Sequence, residues 1–489
     1  MKSIRLNFFY NLLLSISRVV FPLITAPYVA RVLSPDGVGL FNFSNMYASY
    51  FAMFAVLGIP TYGMREVAKV RDDREKLSRL VSELVSIQTL LTIASTVIFL
   101  GSIALVGMLR KDALIFVISG LVLYLSPVKT EWFFAGEERF GFITMRQVLV
   151  KALCIVSIFV FVKTRADMII YVTIYAIGNI VGELWTFFAM LRNGVRLRFT
   201  LKGLGGHMKP VLILFASSVA ISVYTMLDTL MLGFISEYSE VAYYNCASNI
   251  SRSLLAAVTS FSAVAVPRMS YYLGEGNLYE ANKLVDKGFS VASFLAIPAA
   301  VGLACVAPTF TPLFYGDQYG GAVLPLQIMA FVLMAIGLNN ITAWQVLVGI
   351  GKDKLFLYSV LAGASLNLVL NAVLIPLFGA VGASSASVAA EFLILGVSIW
   401  FMLNKTEIRI HCYKDALVSF AISLSFLPLI WLMGKFIHGW WLVGSFVVTG
   451  FCIYVILHWI AGSTSFELMK NTAMSVLDKQ LAKIRKQDA

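Results

Sequence analysis

The sequence is dominated by a succession of apolar runs, each about as long as a membrane-crossing helix. Such a helix needs about 20 predominantly apolar residues, and we predict about fourteen of them in the 489 residues. They lie near 7–31, 39–60, 81–107, 113–134, 146–163, 168–191, 210–235, 241–266, 288–314, 321–349, 356–377, 380–403, 415–433 and 440–460. The runs are continuously apolar and lack the alternating ten-residue pattern of a membrane β-barrel. The sequence therefore predicts an all-α integral membrane protein.

The composition leaves no room for a sizeable soluble domain. Hydrophobic residues make up 59% of the chain and charged residues 13%, with a mean hydropathy of +0.84, whereas soluble domains carry about 25% charged residues. The predicted loops on one side are all short, and the sequence contains no GxSxG, HExxH, Walker or CxxC pattern. Five cysteines and four histidines are dispersed along the chain. We therefore expect no enzymatic activity, no catalytic residue, no metal site and no cofactor.

The net charge of +12 is a topology signal. Of the 38 lysines and arginines, 28 lie in the N-terminus, alternate loops and the C-terminal tail, six lie in the opposite loops, and four lie inside spans. This bias follows the positive-inside rule and predicts a multi-pass membrane protein with both termini in the cytoplasm. The basic loops would meet anionic lipid headgroups, so the bilayer is the expected partner of this charge and nucleic acid is not.

The chain also contains a weak internal repeat. Asn42 and Asn245 follow similar turn sequences 203 residues apart, and Arg65 and Arg268 share that offset. A six-span repeat would form two parallel lobes with a binding cavity between them. We predict an N-terminal six-helix lobe over 1–200, a C-terminal six-helix lobe over 205–403, an additional helix pair over 415–460 and a cytoplasmic amphipathic tail over 463–489.

Two predicted spans carry polar residues along one helical face, including an arginine near the middle. The first has Asn7, Asn11, Ser15, Arg18, Pro22 and Thr25, and the eighth has Asn245, Ser248, Asn249, Arg252 and Thr259. Arginine in hydrocarbon costs about 2.5–3.5 kcal/mol on insertion scales, and its planar fork of donors suits phosphate oxygens. We therefore predict that Arg18 and Arg252, with Asn42 and Asn245, bind an anionic phosphate or diphosphate ligand. The alternative is that each arginine pairs with an acid such as Asp228 and only joins helices.

Other ionisable residues fall inside spans or near their ends. Lys129, Arg146 and Lys151 are further candidates for substrate binding. The alternative for the two lysines is that they extend from helix ends to the membrane interface. We expect Glu131, beside Lys129, to have a structural role. Asp228, Glu183 and Glu391 are candidates for binding a coupling ion.

Several stretches resemble one membrane protein family. They are YVARVLSPDGVG at 28–39, YGMREVAK at 62–69, EWFFAGEERF at 131–140, LFYGDQY at 313–319, and NLVLN at 367–371 followed by Ile375-Pro376 and GAVGA at 379–383. By these stretches the chain resembles the bacterial oligosaccharide and polysaccharide (O-antigen type) flippases. Those flippases belong to the multidrug/oligosaccharidyl-lipid/polysaccharide exporter superfamily. The same superfamily includes multidrug exporters with a twelve-helix core.

The resemblance implies a function as well as a MATE-like fold. It implies that the protein lies in the bacterial cytoplasmic (inner) membrane and that its substrate is an oligosaccharide linked to a polyprenyl diphosphate. The substrate would move from the cytoplasmic to the outer leaflet by alternating access. Other membrane proteins of polysaccharide assembly would be its partners. The related flippase of the peptidoglycan lipid precursor uses cavity arginines in its first, second and eighth helices. Arg18 and Arg252 match the first and eighth, whereas the second span here has no arginine and Arg65 lies beyond its end.

Two other functions fit parts of the pattern. A cation-coupled multidrug exporter of the same fold would have a cavity rich in carboxylates and aromatic rings, whereas the arginines and lysines inside these spans favour an anion. A membrane ligase or polymerase of polysaccharide assembly would need a large extramembrane loop, and the short outer loops disfavour it.

Overall fold

The structure, a computed structural model, describes residues 4–259 and 262–470, without the side chains of some of them, Arg18 included. All regular structure in this part of the chain is helical. Within it, nine helical stretches are long and apolar enough to cross a membrane, and shorter apolar helices cover Ala113–Val128, Leu204–Phe215 and Met226–Ile235. These observations confirm the all-α membrane fold. The number fourteen stays a prediction, because Leu13–Val70 and Asp353–Lys405 each cover two predicted spans.

The chain divides into two compact units, and the first is Met1–Ala242. Short 3-10 turns lie at Ser126–Val128 and Arg165–Asp167. The α-helices of the first unit are α1 (Ile4–Val56), α2 (Ile59–Val70), α3 (Arg74–Leu105), α4 (Gly107–Lys111), α5 (Ala113–Ser119), α6 (Leu121–Tyr124), α7 (Glu131–Gly136), α8 (Phe140–Phe161), α9 (Met168–Arg192) and α10 (Leu204–Ile235).

The second unit is Tyr243–Ala489, of which the structure describes residues up to Lys470; most of the predicted amphipathic tail lies outside the described residues. A 3-10 turn covers Asp317–Ala322 and a π-helical stretch covers Asn340–Val348. The helices, beginning with one that starts in the first unit, are α11 (Tyr238–Thr259), α12 (Ser262–Gly274), α13 (Leu278–Tyr315), α14 (Val323–Met329), α15 (Val332–Asn339), α16 (Asp353–Lys405), α17 (Tyr413–Ser423), α18 (Phe426–Met433) and α19 (Gly439–Ile460).

Two of the long helices are interrupted between predicted spans. In α1 the break is at Ser34, with φ 65° and ψ 165°; proline disfavours the helical conformation of the residue before it, and Pro35 follows. In α16 the break is at Gly379, with φ 52° and ψ −126°, a conformation that glycine adopts readily because it lacks a Cβ. The chain thus leaves one span and enters the next without a long loop.

The second half of α1 packs closely within the first unit. A Cβ on Gly39 would overlap the backbone carbonyl of Tyr238, so only glycine allows this approach. Nearby, the fully buried Phe43 makes edge-to-face contacts with Phe116 and Phe234, with ring centroids 5.5 and 5.0 Å apart. These contacts join α1 to α5 and α10.

A non-helical segment, strap 1 (residues 193–203), lies along the first turns of α3. Every second backbone N–H of the strap donates to a serine hydroxyl of α3: Arg196 N to Ser78 Oγ at 3.2 Å, Arg198 N to Ser82 Oγ at 3.0 Å and Thr200 N to Ser86 Oγ at 3.1 Å. The three serines are four residues apart and so share one helical face. The ladder fixes the strap after the sixth predicted span.

A second segment, strap 2 (residues 406–412), lies along α13 in the same way. Arg409 N donates to Asn282 Oδ1 at 2.9 Å and His411 N donates to Asp286 Oδ1 at 2.8 Å. Asn282 and Asp286 come 204 residues after Ser78 and Ser82. This recurrence favours an internal repeat within the chain, and the lobe boundaries at 1–200 and 205–403 stay a prediction.

The beginnings of α3 and α13 show the same correspondence. Asp73 caps α3 by accepting a hydrogen bond from Lys76 N at 3.1 Å, and Asn277 caps α13 by accepting one from Glu280 N at 3.1 Å. The bond from the Lys76 N–H, with the Lys76 side chain, holds the pKa of Asp73 below its ordinary value. Asp73 and Asn277 are also 204 residues apart.

Helices α17, α18 and α19, which cover the predicted additional pair, pack on α13. Phe426, Phe446 and Tyr454 form a buried apolar cluster with Phe294, and the Tyr454 hydroxyl donates to the Phe294 carbonyl at 3.1 Å.

Candidate functional site

Arg252 is exposed on the polar face of α11. Its Nε donates to Ser248 Oγ, one turn earlier, at 3.1 Å, and among the described residues the side chain has no other hydrogen bond or ion pair. Asn249 is exposed as well, whereas Asn245 is half-buried. An arginine that faces hydrocarbon is costly, so this face of α11 suits a water-filled surface better than a lipid-facing one.

The polar face of the first span is described only in part. The side chains of Arg18, Asn7 and Asn11 lie outside the described residues, and Asn42 is half-buried in the second half of α1. The predicted site residue Lys151, on α8, lies with its Nζ 5.7 Å from the ring centroid of Phe21. Because Phe21 follows Arg18 by about one turn, Lys151 lies beside the part of α1 that carries Arg18.

Arg146, a predicted substrate residue, lies buried in a polar cluster between α7, α8 and α9. Its side chain is 3% exposed, and Nη2 forms an ion pair with Glu131 at 2.6 Å. Nη1 donates to the Gly182 carbonyl at 2.6 Å and to the Thr186 hydroxyl. Gln147 donates to the same Glu131 oxygen at 2.8 Å. Most of the donors of Arg146 are therefore bonded to the protein, and its binding of substrate stays a prediction.

Two more predicted residues belong to this cluster. Glu183 Oε2 lies 3.8 Å from Arg146 Nη1 and is a buried oxygen without a hydrogen bond among the described residues. Lys129 interacts electrostatically with Glu183. Two carboxylates, an arginine and a lysine balance in charge, and a bound cation or proton at Glu183 would change that balance. The role of Glu183 in binding a coupling ion stays a prediction.

Other polar residues are buried in each unit. In the second unit Asn371 Nδ2 donates to Asn367 Oδ1 at 3.0 Å, and the Tyr244 hydroxyl and Ser387 Oγ are 3.2 Å apart. The coupling-ion candidate Glu391 is 8% exposed on α16, and the candidate Asp228 of the first unit is 3% exposed on α10. The structure thus brings Arg146, Lys129 and Glu183 together, and it places Asp228 on α10 and Glu391 on α16.

Some members of these sites carried no signal in the sequence. Thr186 and Gln147 join the Arg146 cluster from positions that look like ordinary polar residues of apolar helices. The serine ladder of α3 has a regular spacing that indicates a polar helical face but not what covers it. Within the described part of the chain no group of three or more histidine, cysteine, aspartate or glutamate side chains is arranged to hold a metal ion.

Two protein families match the sequence. The family described as "Polysaccharide biosynthesis protein" matches residues 4–273, and the family described as MatE matches residues 214–373. The first match covers more than half of the 489 residues and confirms the resemblance stated above.

Individual relatives agree with this match. The chain is 27% identical over 410 residues to the "Putative O-antigen transporter" of Escherichia coli (strain K12), covering 82% of this chain and 97% of the relative. It is 30% identical over 171 residues to the "Probable flippase AglR" of Haloferax volcanii, covering 34% of this chain and 35% of that one.

A solved structure shows the same fold. "Lipid II flippase MurJ, inward closed conformation" superposes with a TM-score of 0.74 at 16% identity, covering 93% of this chain and 98% of the other. Helical membrane architecture, family match and relatives agree with one another, and the chain belongs to the polysaccharide biosynthesis protein family.

Proposed function

We propose that this chain is a flippase that moves a polyprenyl-diphosphate-linked oligosaccharide from the cytoplasmic to the outer leaflet of the bacterial inner membrane. The observation that carries the proposal is the similarity to the Escherichia coli O-antigen transporter, which extends over 97% of that relative. The relatives are named transporters and flippases, so the chain acts in transport and not in catalysis. Its product would serve surface polysaccharide synthesis such as O-antigen, capsule or exopolysaccharide.

The physical task of such a protein is to carry a charged headgroup past hydrocarbon. A water-filled cavity lined by cations can enclose the sugar and the diphosphate while the lipid tail stays in the bilayer. The exposed Arg252, bonded among the described residues only to Ser248, has donors available for a phosphate, and charge-assisted bonds of this kind are about twice as strong as neutral ones.

In this proposal Arg18 and Arg252 bind the diphosphate from the two lobes. Lys151, Asn42 and Asn245 contact the headgroup. Lys129 and Arg146, whose charges are balanced by Glu131 and Glu183, are further candidates for substrate binding. The proximity of Lys151 to Phe21 supports its assignment. Both termini would face the cytoplasm, and other membrane proteins of polysaccharide assembly would receive the exported substrate.

Transport against a gradient needs an energy source, and we propose Glu183 as the group that binds the coupling ion. Its support is the buried Oε2, which lies 3.8 Å from Arg146 Nη1 and accepts no hydrogen bond from any described residue. Asp228 and Glu391, buried on α10 and α16, are the other candidates.

The second candidate function is export of cationic drugs. The observation in its favour is the MatE match over residues 214–373. The exposed arginine on α11 disfavours it, because a cation repels cationic substrates. A ligase or polymerase is not supported, because the similar proteins are named for transport.

Deletion of the gene in the source organism tests the proposal. The lipid-linked oligosaccharide should accumulate on the cytoplasmic face, and expression of the wild-type chain should restore surface polysaccharide. Expression of the double variant Arg18→Ala, Arg252→Ala, at wild-type abundance in the membrane, should not restore it. Unchanged surface polysaccharide together with increased sensitivity to cationic drugs would favour the multidrug exporter.

A further inference from the structure

Strap 1 and the first turns of α3 enclose an open cleft of about 830 Å³. Arg74 and Arg79 contribute to it from α3, and Arg196, Arg198 and Lys202 contribute from the strap. The serine ladder described above fixes the strap against the helix, so the cationic side chains of the two segments are held on the walls of one cleft.

The cleft has an excess of positive charge. Five cationic side chains face two carboxylates, Glu75 and Glu83, and Glu83 is already bonded to Arg79 at 3.0 Å and to His207 at 2.8 Å. Arg74 donates to the Asn193 carbonyl at 2.8 Å.

Three of the five cations have no partner of their own. Within the described part of the chain, the side chains of Arg196, Arg198 and Lys202 make no hydrogen bond or ion pair. The backbone N–H groups of 196, 198 and 200 are bonded to serines, so the donors available to an anion in the cleft are side chains, and these three have no competing partner among the described residues.

The strap also carries exposed apolar side chains, which alternate in sequence with its cations and are not among the residues that line the cleft. Val195 is buried against the first unit, and Arg196 and Arg198 point outward. Phe199 and Leu201 are 63% and 67% exposed. A soluble phosphate compound has no apolar part that would contact the exposed phenylalanine and leucine. A phospholipid has a phosphate that can bind the arginines and acyl chains that can contact these two residues. Strap 1 directly follows the membrane-crossing α9, so it lies at the height of the headgroups.

We propose that the cleft between strap 1 and α3 is a binding site for an anionic phospholipid, with the phosphate bound by Arg196, Arg198 and Lys202 and the acyl chains lying against Phe199 and Leu201. None of these residues is among the substrate-binding residues proposed above. Basic residues near a membrane surface each contribute about 1 kcal/mol of attraction to anionic lipid.

Strap 2 supplies a matched control. It is held on α13 by the same kind of bonds, but its Arg409 donates Nη1 to the carbonyls of Thr406 and Ile408 at 2.9 and 2.8 Å. That guanidinium is bonded within its own strap, so Arg409→Gln removes a positive charge from an equivalent segment without touching the cleft.

The test is native mass spectrometry of the purified full chain in detergent, titrated with dioleoyl phosphatidylglycerol or dioleoyl phosphatidylcholine. We expect the wild type to bind phosphatidylglycerol more tightly. The Arg196→Gln, Arg198→Gln variant should bind it about 30-fold more weakly, since two charges are lost. Arg196→Lys, Arg198→Lys and Arg409→Gln should keep most of the affinity. Thermal unfolding of each variant verifies that it is folded. If the double glutamine variant is not folded, the single variant Lys202→Gln carries the test, with an expected loss of about 5-fold for one charge.

Two results would overturn the proposal. Equal binding of the two lipids by the wild type, or unchanged binding of phosphatidylglycerol by the folded glutamine variant, would show that the cleft does not select anionic lipid. Displacement of the lipid by glycerol phosphate at similar concentration, with no effect of Phe199→Ser, would show that the ligand is a soluble phosphate compound.

Discussion

Replacing Arg146 tests whether this residue stabilises the fold or binds the substrate. Its guanidinium is 3% exposed and pairs with Glu131 at 2.6 Å, so Arg146→Ala leaves the half-buried carboxylates of Glu131 and Glu183 without this counter-charge. Breaking a buried ion pair on one side costs about 3–5 kcal/mol. We expect a much lower unfolding temperature in detergent, measured by thermal unfolding. Arg71→Ala is the control, because Arg71 pairs with Glu138 at the surface (36% and 50% exposed), where a pair contributes at most about 1 kcal/mol.

The companion variant distinguishes the two roles of Arg146. Removing the charge of Glu131 as well, in Arg146→Ala, Glu131→Gln, should recover part of the lost stability. A single variant as stable as the wild type but inactive in export would instead assign Arg146 to the substrate.

Arg252 should behave in the opposite way. Its side chain is exposed and bonded only to Ser248 among the described residues, so Arg252→Ala should leave the unfolding temperature within a few degrees of the wild type and abolish export. Arg252→Lys should restore export in part, because it keeps the charge and loses the bidentate fork. Export and membrane abundance measured in the same cells test this; loss of folded protein would point to helix pairing.

At the scale of elements, the approach of α1 to the start of α11 depends on Gly39. A methyl group there would overlap the Tyr238 carbonyl, and overpacking a tight contact costs about 1–3 kcal/mol. We expect Gly39→Ala to reduce the abundance of folded protein in the membrane. Gly101→Ala is the control within α3, since no atom lies within 4 Å of its added Cβ; equal abundance of the two variants would show that this contact is not close.

The serine ladder predicts a second effect at this scale. Ser82 accepts a hydrogen bond from Arg198 N and donates to the Ser78 carbonyl, so Ser82→Ala leaves a strap N–H without its partner. We expect trypsin to cleave strap 1 faster, at Arg196 or Arg198. Thr89→Ala is the control, because among the described residues the Thr89 hydroxyl bonds only to the Val85 carbonyl of its own helix. Unchanged cleavage would mean that the ladder contributes little to holding the strap.

At the scale of the whole molecule, hydropathy was sufficient to predict the class of fold. Apolar length is a property of each segment, and the breaks at Ser34-Pro35 and Gly379 follow from local backbone preferences. The partners of Arg146 were not predictable, because Glu131 and Thr186 lie 15 and 40 residues away in the sequence. The periodicity of polar residues shows which face of one helix is polar, but not which other helix that face contacts. The positions of the two straps were not predicted, because these segments are too short to show a helical periodicity or the alternating pattern of a strand.

The proposed function is the movement of a lipid-linked oligosaccharide from one leaflet to the other, and this movement can be measured directly. The direct measurement uses the purified chain in liposomes that contain a fluorescent, short-chain polyprenyl-diphosphate oligosaccharide, with a membrane-impermeant glycosidase added outside. Wild-type protein should expose the inner-leaflet substrate to the enzyme far faster than protein-free vesicles do, and Arg252→Ala should match protein-free vesicles. A wild-type rate equal to that of protein-free vesicles, from protein that still exports a cationic dye, would contradict the proposed function.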